Sequence, residues 1–287
     1  MNKVLETPKE LVDFINGIQP KNTIGFVPTM GSLHHGHLSL VERSIAENDC
    51  TIVSIFVNPT QFGPKEDFEK YPRNIEKDLS ILKDYNIDVV FTPYYKDVFT
   101  ENYLTFVTVN RISNLFCGKT RSGHFKGVTT IICKFLNLIK PNFLYLGEKD
   151  YQQMVIIEKM ISDLNYSTKV KKCAIVREPN GLAMSSRNIY LSKKEKLNST
   201  CLYKSLLLAK ENYNKGIYSI NRVKTQMVDL ITKSNGIIDY IAFVHKDTLL
   251  KEKHLSPNTR ILLAVKIGKT RLIDNIDVTE VIPIDFK

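Results

Sequence analysis

Apolar positions along the chain fall into two alternating spacings. Short apolar, β-branched runs at 23–27, 51–57, 88–91 and 143–146 read as strands, 51–57 as one buried on both faces, and 170–176 reads as the last strand of the sheet. Between them, apolar residues recur three and four apart, as one buried helix face requires; Leu38, Val41 and Ile45 are an example. Helices are expected over 8–16, after the first strand, over the charged stretch 65–83 with Ile75, Leu79 and Leu82 on one face, from 128 towards Pro141, and from about 151 to 162. The first strand is expected to break at Pro28 and turn tightly through Met30, Gly31 and Ser32. Between 93 and 122 the pattern weakens and leaves one candidate strand, 105–109.

Strands alternating with helices predict an α/β fold, a Rossmann-like doubly wound parallel sheet. From about Arg177 the character changes. A Pro-Asn-Gly turn at 179–181 leads to a lysine-rich helix over 193–213, a second helix near 220–233, and two strand candidates at 237–244 and 260–265. The expected division is therefore a domain over 1–176 that binds the ligand and a smaller C-terminal α+β domain over 177–287.

The residues suited to chemistry cluster where a strand gives way to a helix, the end of an open α/β sheet where ligands bind. His34, His35 and His37 lie at a helix N-terminus, whose unpaired N–H groups and partial positive charge suit an anion. His34 and His37 are three apart and share a face. An H-x-x-H pair is also half of a zinc site, but no further ligand stands at a familiar spacing. After the second strand, Asn58 is expected to serve its own turn, whereas the Gln61 amide both donates and accepts and suits a carboxylate or hydroxyl. After the strand at 143–146, Gly147 permits close approach to a ligand and Lys149 offers an ammonium to phosphate, with Gln153 four residues on. Met184, Ser185, Ser186 and Arg187 form a fourth cluster; Arg contacts phosphate oxygens bidentately, although a serine here serves equally as a helix cap.

Composition narrows the classes. No apolar run in the 287 residues approaches the ~20 needed to span a bilayer, and the first residues lack a signal-peptide apolar stretch. The five cysteines are scattered without a C-x-x-C pair, which reads as reduced thiols in a cytoplasm. A net charge of +10 admits nucleic acid as a partner, yet the basic residues are spread out and lack interleaved aromatics. A small anionic substrate accounts for the excess equally well.

Pro28-Thr29-Met30-Gly31 running into His34-x-Gly36-His37 resembles the HxGH signature of the nucleotidylyltransferase superfamily, and within it the pantothenate synthetase (pantoate–β-alanine ligase) family. Four further segments resemble that family in the same order: Val57 to Gly63, Arg121 to Phe125 (R-x-x-HF), Gly147 to Gln153, and Gly181 to Asn188, the last corresponding to a KMSKS-like signature. His35 and Asn180 stand where the family has acidic residues; both are expected to point away from the phosphates. The resemblance implies ATP-dependent condensation of pantoate with β-alanine through a pantoyl-adenylate, releasing AMP and pyrophosphate. It implies an ATP site on Met30, Gly31, Ser32, Leu33, His34, His35, Gly36 and His37, on Gly147, Glu148, Lys149 and Asp150, on Val176, and on Met184, Ser185, Ser186 and Arg187. His34, His37, Lys149, Ser185, Ser186 and Arg187 would be catalytic through the phosphates, Gln61 and Gln153 would hold pantoate, and Gln61 would also meet β-alanine. It further implies magnesium carried by the triphosphate with no protein ligand, a C-terminal domain that closes over ATP, and a cytoplasmic homodimer with neither nucleic-acid nor membrane partners. The rival readings are another HxGH nucleotidylyltransferase acting on a different small acid or phosphate, and a non-catalytic nucleotide- or RNA-binding protein.

Overall fold

A computed structural model of the chain describes residues 2–64 and 66–280. Lys65, where the charged stretch expected to be helical begins, and 281–287, the end of the expected C-terminal domain, lie outside the described residues, as does Met1. The chain forms two compact units, Met1–Glu148 with Gln153–Ala174, and Lys149–Gln152 with Ile175–Lys287.

The larger unit runs β1 (Lys3–Leu5), α1 (Pro8–Asn16), β2 (Ile24–Thr29), α2 (His35–Glu47), β3 (Cys50–Ile55), a 3-10 turn at Pro59–Gln61, α3 (Ile75–Leu82) and β4 (Val89–Phe91). The chain continues through α4 (Tyr95–Val98), α5 (Cys117–Thr120), α6 (His124–Ile139), β5 (Phe143–Gly147), a 3-10 turn at Glu148–Asp150, α7 (Tyr151–Asp163) and β6 (Lys169–Cys173), with 149–152 belonging to the smaller unit. The six strands pair in parallel in the order β1-β4-β3-β2-β5-β6. From β2 the chain moves outward through β3 and β4, then returns to the other side of β2 with β5 and β6. That reversal is the switch point at which such sheets bind ligands.

The inner strands β2 to β5 are covered on both faces, which is why they read as unbroken apolar runs, whereas the edge strand β6 buries only Cys173. On one face Phe135 of α6 packs edge-on against Phe26, Phe56 and Phe91, with ring centroids 6.0, 6.0 and 5.6 Å away. On the other, Val27, Val53 and Val90 meet Leu38, Val41 and Leu82.

Several expectations need correction. Strand β2 does not break at Pro28: it continues to Thr29, with Pro28 in register with Ser54 of β3. Its ladder to β5 covers only Gly25 and Phe26, so a residue without an N–H is tolerated two positions further on. The helix expected over 65–83 is confined to α3, which Asn74 caps by accepting from the Lys77 N–H at 2.9 Å. Ile75, placed on the buried face by its spacing, is the first helical residue and is 41% exposed. Residues 105–109 form no strand; Val107 bonds instead to the side chains of Thr129 and Thr130 on α6, at 2.7 and 3.0 Å. Extended backbone needs partners but not strand partners.

The smaller unit contains a 3-10 segment at Ser186–Tyr190, α8 (Lys193–Ser199), α9 (Cys201–Asn214), α10 (Ile220–Lys233), and an antiparallel sheet β7-β8-β9 (Gly236–His245, Thr259–Ile267, Thr270–Asp277). Its core joins Leu202, Leu206, Val223, Met227 and Ile231 of the helices to Ile261, Leu263 and Val265 of the sheet. The single helix expected over 193–213 is two. At the junction the Ser199 and Thr200 hydroxyls bond back to the Lys196 and Leu197 carbonyls, at 2.7 and 2.8 Å, competing with the helical ladder. Strand β9 was not anticipated, because Arg271, Asp274, Asn275 and Asp277 interrupt its apolar pattern.

Candidate active site

In the larger unit, the turn after β2 is held in an unusual shape. Gly31 and Ser32 both have positive φ, +77° and +51°. A side chain at Gly31 would be strained by that φ and would meet Asp78 Oδ2 at 2.8 Å. The buried Asp78 carboxylate accepts from the backbone N–H groups of Ser32 and Leu33, both at 2.8 Å. This residue was missed from the sequence. The available signal was a single acidic position four before Leu82, on the inward face of α3.

The turn delivers His34 as the N-cap of α2, its Nδ1 accepting from the Gly36 N–H at 3.1 Å. An accepting Nδ1 leaves Nε2 as the protonated nitrogen of the neutral ring. The His34 and His37 rings stack at 4.1 Å and 28°. Together with the helix N-terminus they form a donor-rich, positively polarised end. His35 is exposed.

Gln61, on the turn after β3, is brought against the same segment: its Nε2 lies 2.9 Å from Met30 Sδ. Its Oε1 accepts from Asn58 Nδ2 at 3.1 Å, and the same Nδ2 donates to the Gly127 carbonyl at 3.1 Å. Asn58 does cap its own turn, accepting from the Thr60 N–H and hydroxyl at 3.3 and 2.8 Å, but it also orients Gln61. Helix α6 approaches this turn so closely at Gly127 that a Cβ there would collide with the Thr60 carbonyl. Arg121, the basic residue of the R-x-x-HF segment, is half-buried. It forks onto Glu66 at 2.7 and 2.8 Å. Burial would raise the Glu66 pKa, but the Arg121 hydrogen bond and charge hold it below the ordinary glutamate range. Gly147 ends β5, paired with Cys173 of β6, with Glu148 following.

The smaller unit holds Lys149, Asp150, Val176 and Met184 to Arg187, whereas Gln153, on α7, belongs to the larger one. Lys149 pairs with Asp150 at 3.3 Å, and its carbonyl accepts from Asn275 Nδ2 at 3.0 Å. Asn275 Oδ1 in turn accepts from Arg260, whose guanidinium lies 4.0 Å over the Tyr151 ring. The Met184 N–H bonds to the Val176 carbonyl at 3.0 Å, closing a loop whose interior carries Gly181. Asn180 is exposed and turns this loop by accepting from the Leu182 N–H at 3.0 Å. Ser185 is a cap, accepting from the Arg187 N–H at 3.3 Å, which leaves its own hydroxyl proton to donate. Arg177 fastens the loop: it reaches the Gly181 carbonyl at 3.1 Å and forks onto Asp274 at 2.7 and 3.0 Å. Neither Arg177 nor Asp274 was anticipated as a support.

Among the described residues no group of three or more His, Cys, Asp and Glu is arranged to hold a metal, and no helix is long and apolar enough to cross a membrane.

Comparison with known proteins bears on the family. The model of pantoate-beta-alanine ligase matches residues 3–277. The chain is 47% identical to a pantothenate synthetase of Acetivibrio thermocellus over 278 residues, covering 96% of this chain and 98% of that one. The crystal structure of pantothenate synthetase from Thermus thermophilus superposes with a TM-score of 0.90 at 38% identity, covering 96% and 99% of the two chains. A pantoate-beta-alanine ligase from Francisella tularensis, complexed with beta-gamma ATP and beta-alanine, superposes at 0.83 and 35% identity, covering 98% and 99%. Matched over nearly its whole length in both sequence and fold, the chain belongs to the pantoate–β-alanine ligase (pantothenate synthetase) family.

Proposed function

We infer that the chain catalyses the ATP-dependent condensation of pantoate with β-alanine, in two displacements. The pantoate carboxylate attacks the α-phosphate of ATP and releases pyrophosphate. The β-alanine amine then attacks the acyl carbon of the pantoyl-adenylate, loses a proton, and expels AMP. Neither step needs a covalent enzyme intermediate, so positioning and charge stabilisation carry the rate.

The observation that carries this reading is the stacked His34–His37 pair at the N-terminus of α2, with Gln61 drawn against Met30 beside it. The two rings and the helix end would donate to phosphate oxygens as negative charge builds on departing pyrophosphate. Met30, Gly31, Ser32, Leu33, His35 and Gly36 would shape the nucleotide loop, together with Gly147, Glu148, Asp150, Val176 and Met184. Lys149, Ser185, Ser186 and Arg187 would supply further cationic and hydroxyl donors to the phosphates. Gln61 and Gln153 would bind the pantoate carboxylate and hydroxyls, Gln61 also meeting β-alanine. Magnesium would arrive with the triphosphate, coordinated by phosphate oxygens and water. The reading also carries a cytoplasmic homodimer, which light scattering on the purified protein checks.

The experiment is AMP release from ATP, magnesium, pantoate and β-alanine, with each omitted in turn. AMP in bulk only with the full set supports the ligase; AMP independent of pantoate or β-alanine sinks it. His37→Ala is expected to lower the rate on the order of 10²–10³-fold, the usual loss on removing a donor to developing charge.

A further inference from the structure

Arg121 and His124 are tied to Gln61 by a chain of directed hydrogen bonds. Glu66 holds the Arg121 guanidinium through Nε and Nη2, at 2.8 and 2.7 Å. Arg121 Nη1 then lies 2.9 Å from His124 Nε2. A guanidinium only donates, so Nε2 must accept and the ring proton must sit on Nδ1. His124 Nδ1 lies 2.8 Å from the Gln61 carbonyl, to which it therefore donates. The ring is buried, 7% exposed, and starts α6. Three residues on, on the same helix face, the Gly127 carbonyl accepts from the Asn58 amide that also orients the Gln61 side chain. The helix thus grips the Gln61 turn at both its backbone and its side chain.

We propose that Glu66, Arg121 and His124 form a positioning relay that fixes Gln61, and with it the affinity for pantoate, through the hydrogen bond from His124 Nδ1 to the Gln61 carbonyl. The inference rests on the reading of Gln61 as the pantoate contact. His124 and Arg121 are positioning residues here, acting through Gln61 and not on the reacting atoms. The ion pair sets which ring nitrogen carries the proton, and the ring sets the peptide plane from which the Gln61 side chain departs. A neutral amide in place of the ring serves only if its N–H stands where Nδ1 does.

That condition supplies the test. In His124→Asn the side-chain amide reaches the Nδ1 position; in His124→Gln it reaches the Nε2 position. Steady-state KM values for pantoate, ATP and β-alanine are measured for both, alongside Gln61→Ala and the paired Glu66→Gln/Arg121→Gln change, with thermal melts to confirm folding. His124→Gln is expected to raise the pantoate KM on the order of tenfold, the weight of one lost hydrogen bond in a substrate-positioning turn, with the ATP KM little moved. His124→Asn recovers most of that loss. The paired Glu66/Arg121 change raises the pantoate KM in the wild-type background and adds nothing in the His124→Asn background, where no tautomer remains to set. Equal effects of His124→Asn and His124→Gln, or KM values for all three substrates rising together with a lowered melting temperature, overturn the relay. A Gln61→Ala variant with unchanged pantoate KM overturns the assignment of Gln61 instead, which separates the two failures.

Discussion

In the larger unit the loops after β2 and β3 are fastened at the backbone by short side chains and a ring, Asp78 on two N–H groups, Asn58 on the Gly127 carbonyl and His124 on the Gln61 carbonyl, with the Arg121–Glu66 fork one step behind. In the smaller unit a guanidinium addresses the loop itself: Arg177 donates to the Gly181 carbonyl and forks onto Asp274. The difference follows from the sheets. Strand ends of a parallel sheet converge on one edge, so a short side chain from a neighbouring element reaches the turn. The antiparallel sheet has no such edge, and its loop at 176–184 is spanned by the long, planar fork of an arginine.

If that contrast is physical, the smaller unit should suffer most from loss of a single support. Asp274 is 2% exposed in its side chain and Arg177 10%. Asp274→Ala leaves a buried guanidinium unpaired and is expected to cost about 3–5 kcal/mol in denaturant unfolding. A loss near that of a surface pair, below about 1 kcal/mol, would break the comparison. Next in size, Asp78→Ala strands two backbone donors and should cost about 1–3 kcal/mol, with the ATP KM rising as the His34 turn loosens. Restoration by Asp78→Asn should be partial, because only one amide oxygen accepts. An unchanged ATP KM would show that the turn keeps its shape unaided. The smallest effect is a pH dependence. Hydrogen bonds from Arg43 and Lys171 lower the Glu47 pKa from the ordinary glutamate value to about 2. The folded value lies below the unfolded one, so this support is complete above pH about 4.5 and is lost as pH falls towards 2. Glu47→Gln should flatten the acid limb of the melting temperature slightly across that window; an unchanged slope would place the acid sensitivity elsewhere.

The parallel sheet was legible because burial on both faces writes itself as unbroken apolar runs, and the His34–His37 helix end because helix spacing resumes just after one of them. Strand β9 was not legible: Asp274 and Asn275 sit inside it for reasons of contact, not of strand propensity. The supports escaped for a related reason. Asp78 lies 45–46 residues from the backbone it holds, and Asp274 lies 97 from Arg177, separations at which no local pattern links partners. Gly127 reads as one small residue in a helix until the Thr60 carbonyl is seen against it. What periodicity cannot reveal here is which polar residue is buried to serve another part of the chain.

Adjacent residues of a strand face opposite ways. Asp274 and Asn275 are adjacent on β9: the first secures the loop that ends in Ser185 and Arg187, and the second secures the turn that presents Lys149. One peptide bond therefore acts as a ruler between the two. Within the smaller unit, hydrogen bonds through these two neighbours tie the segment carrying Lys149 and the loop before Ser185 and Arg187 to one step of β9. An insertion or deletion at that single step would detune both segments at once, while leaving every one of their own residues in place.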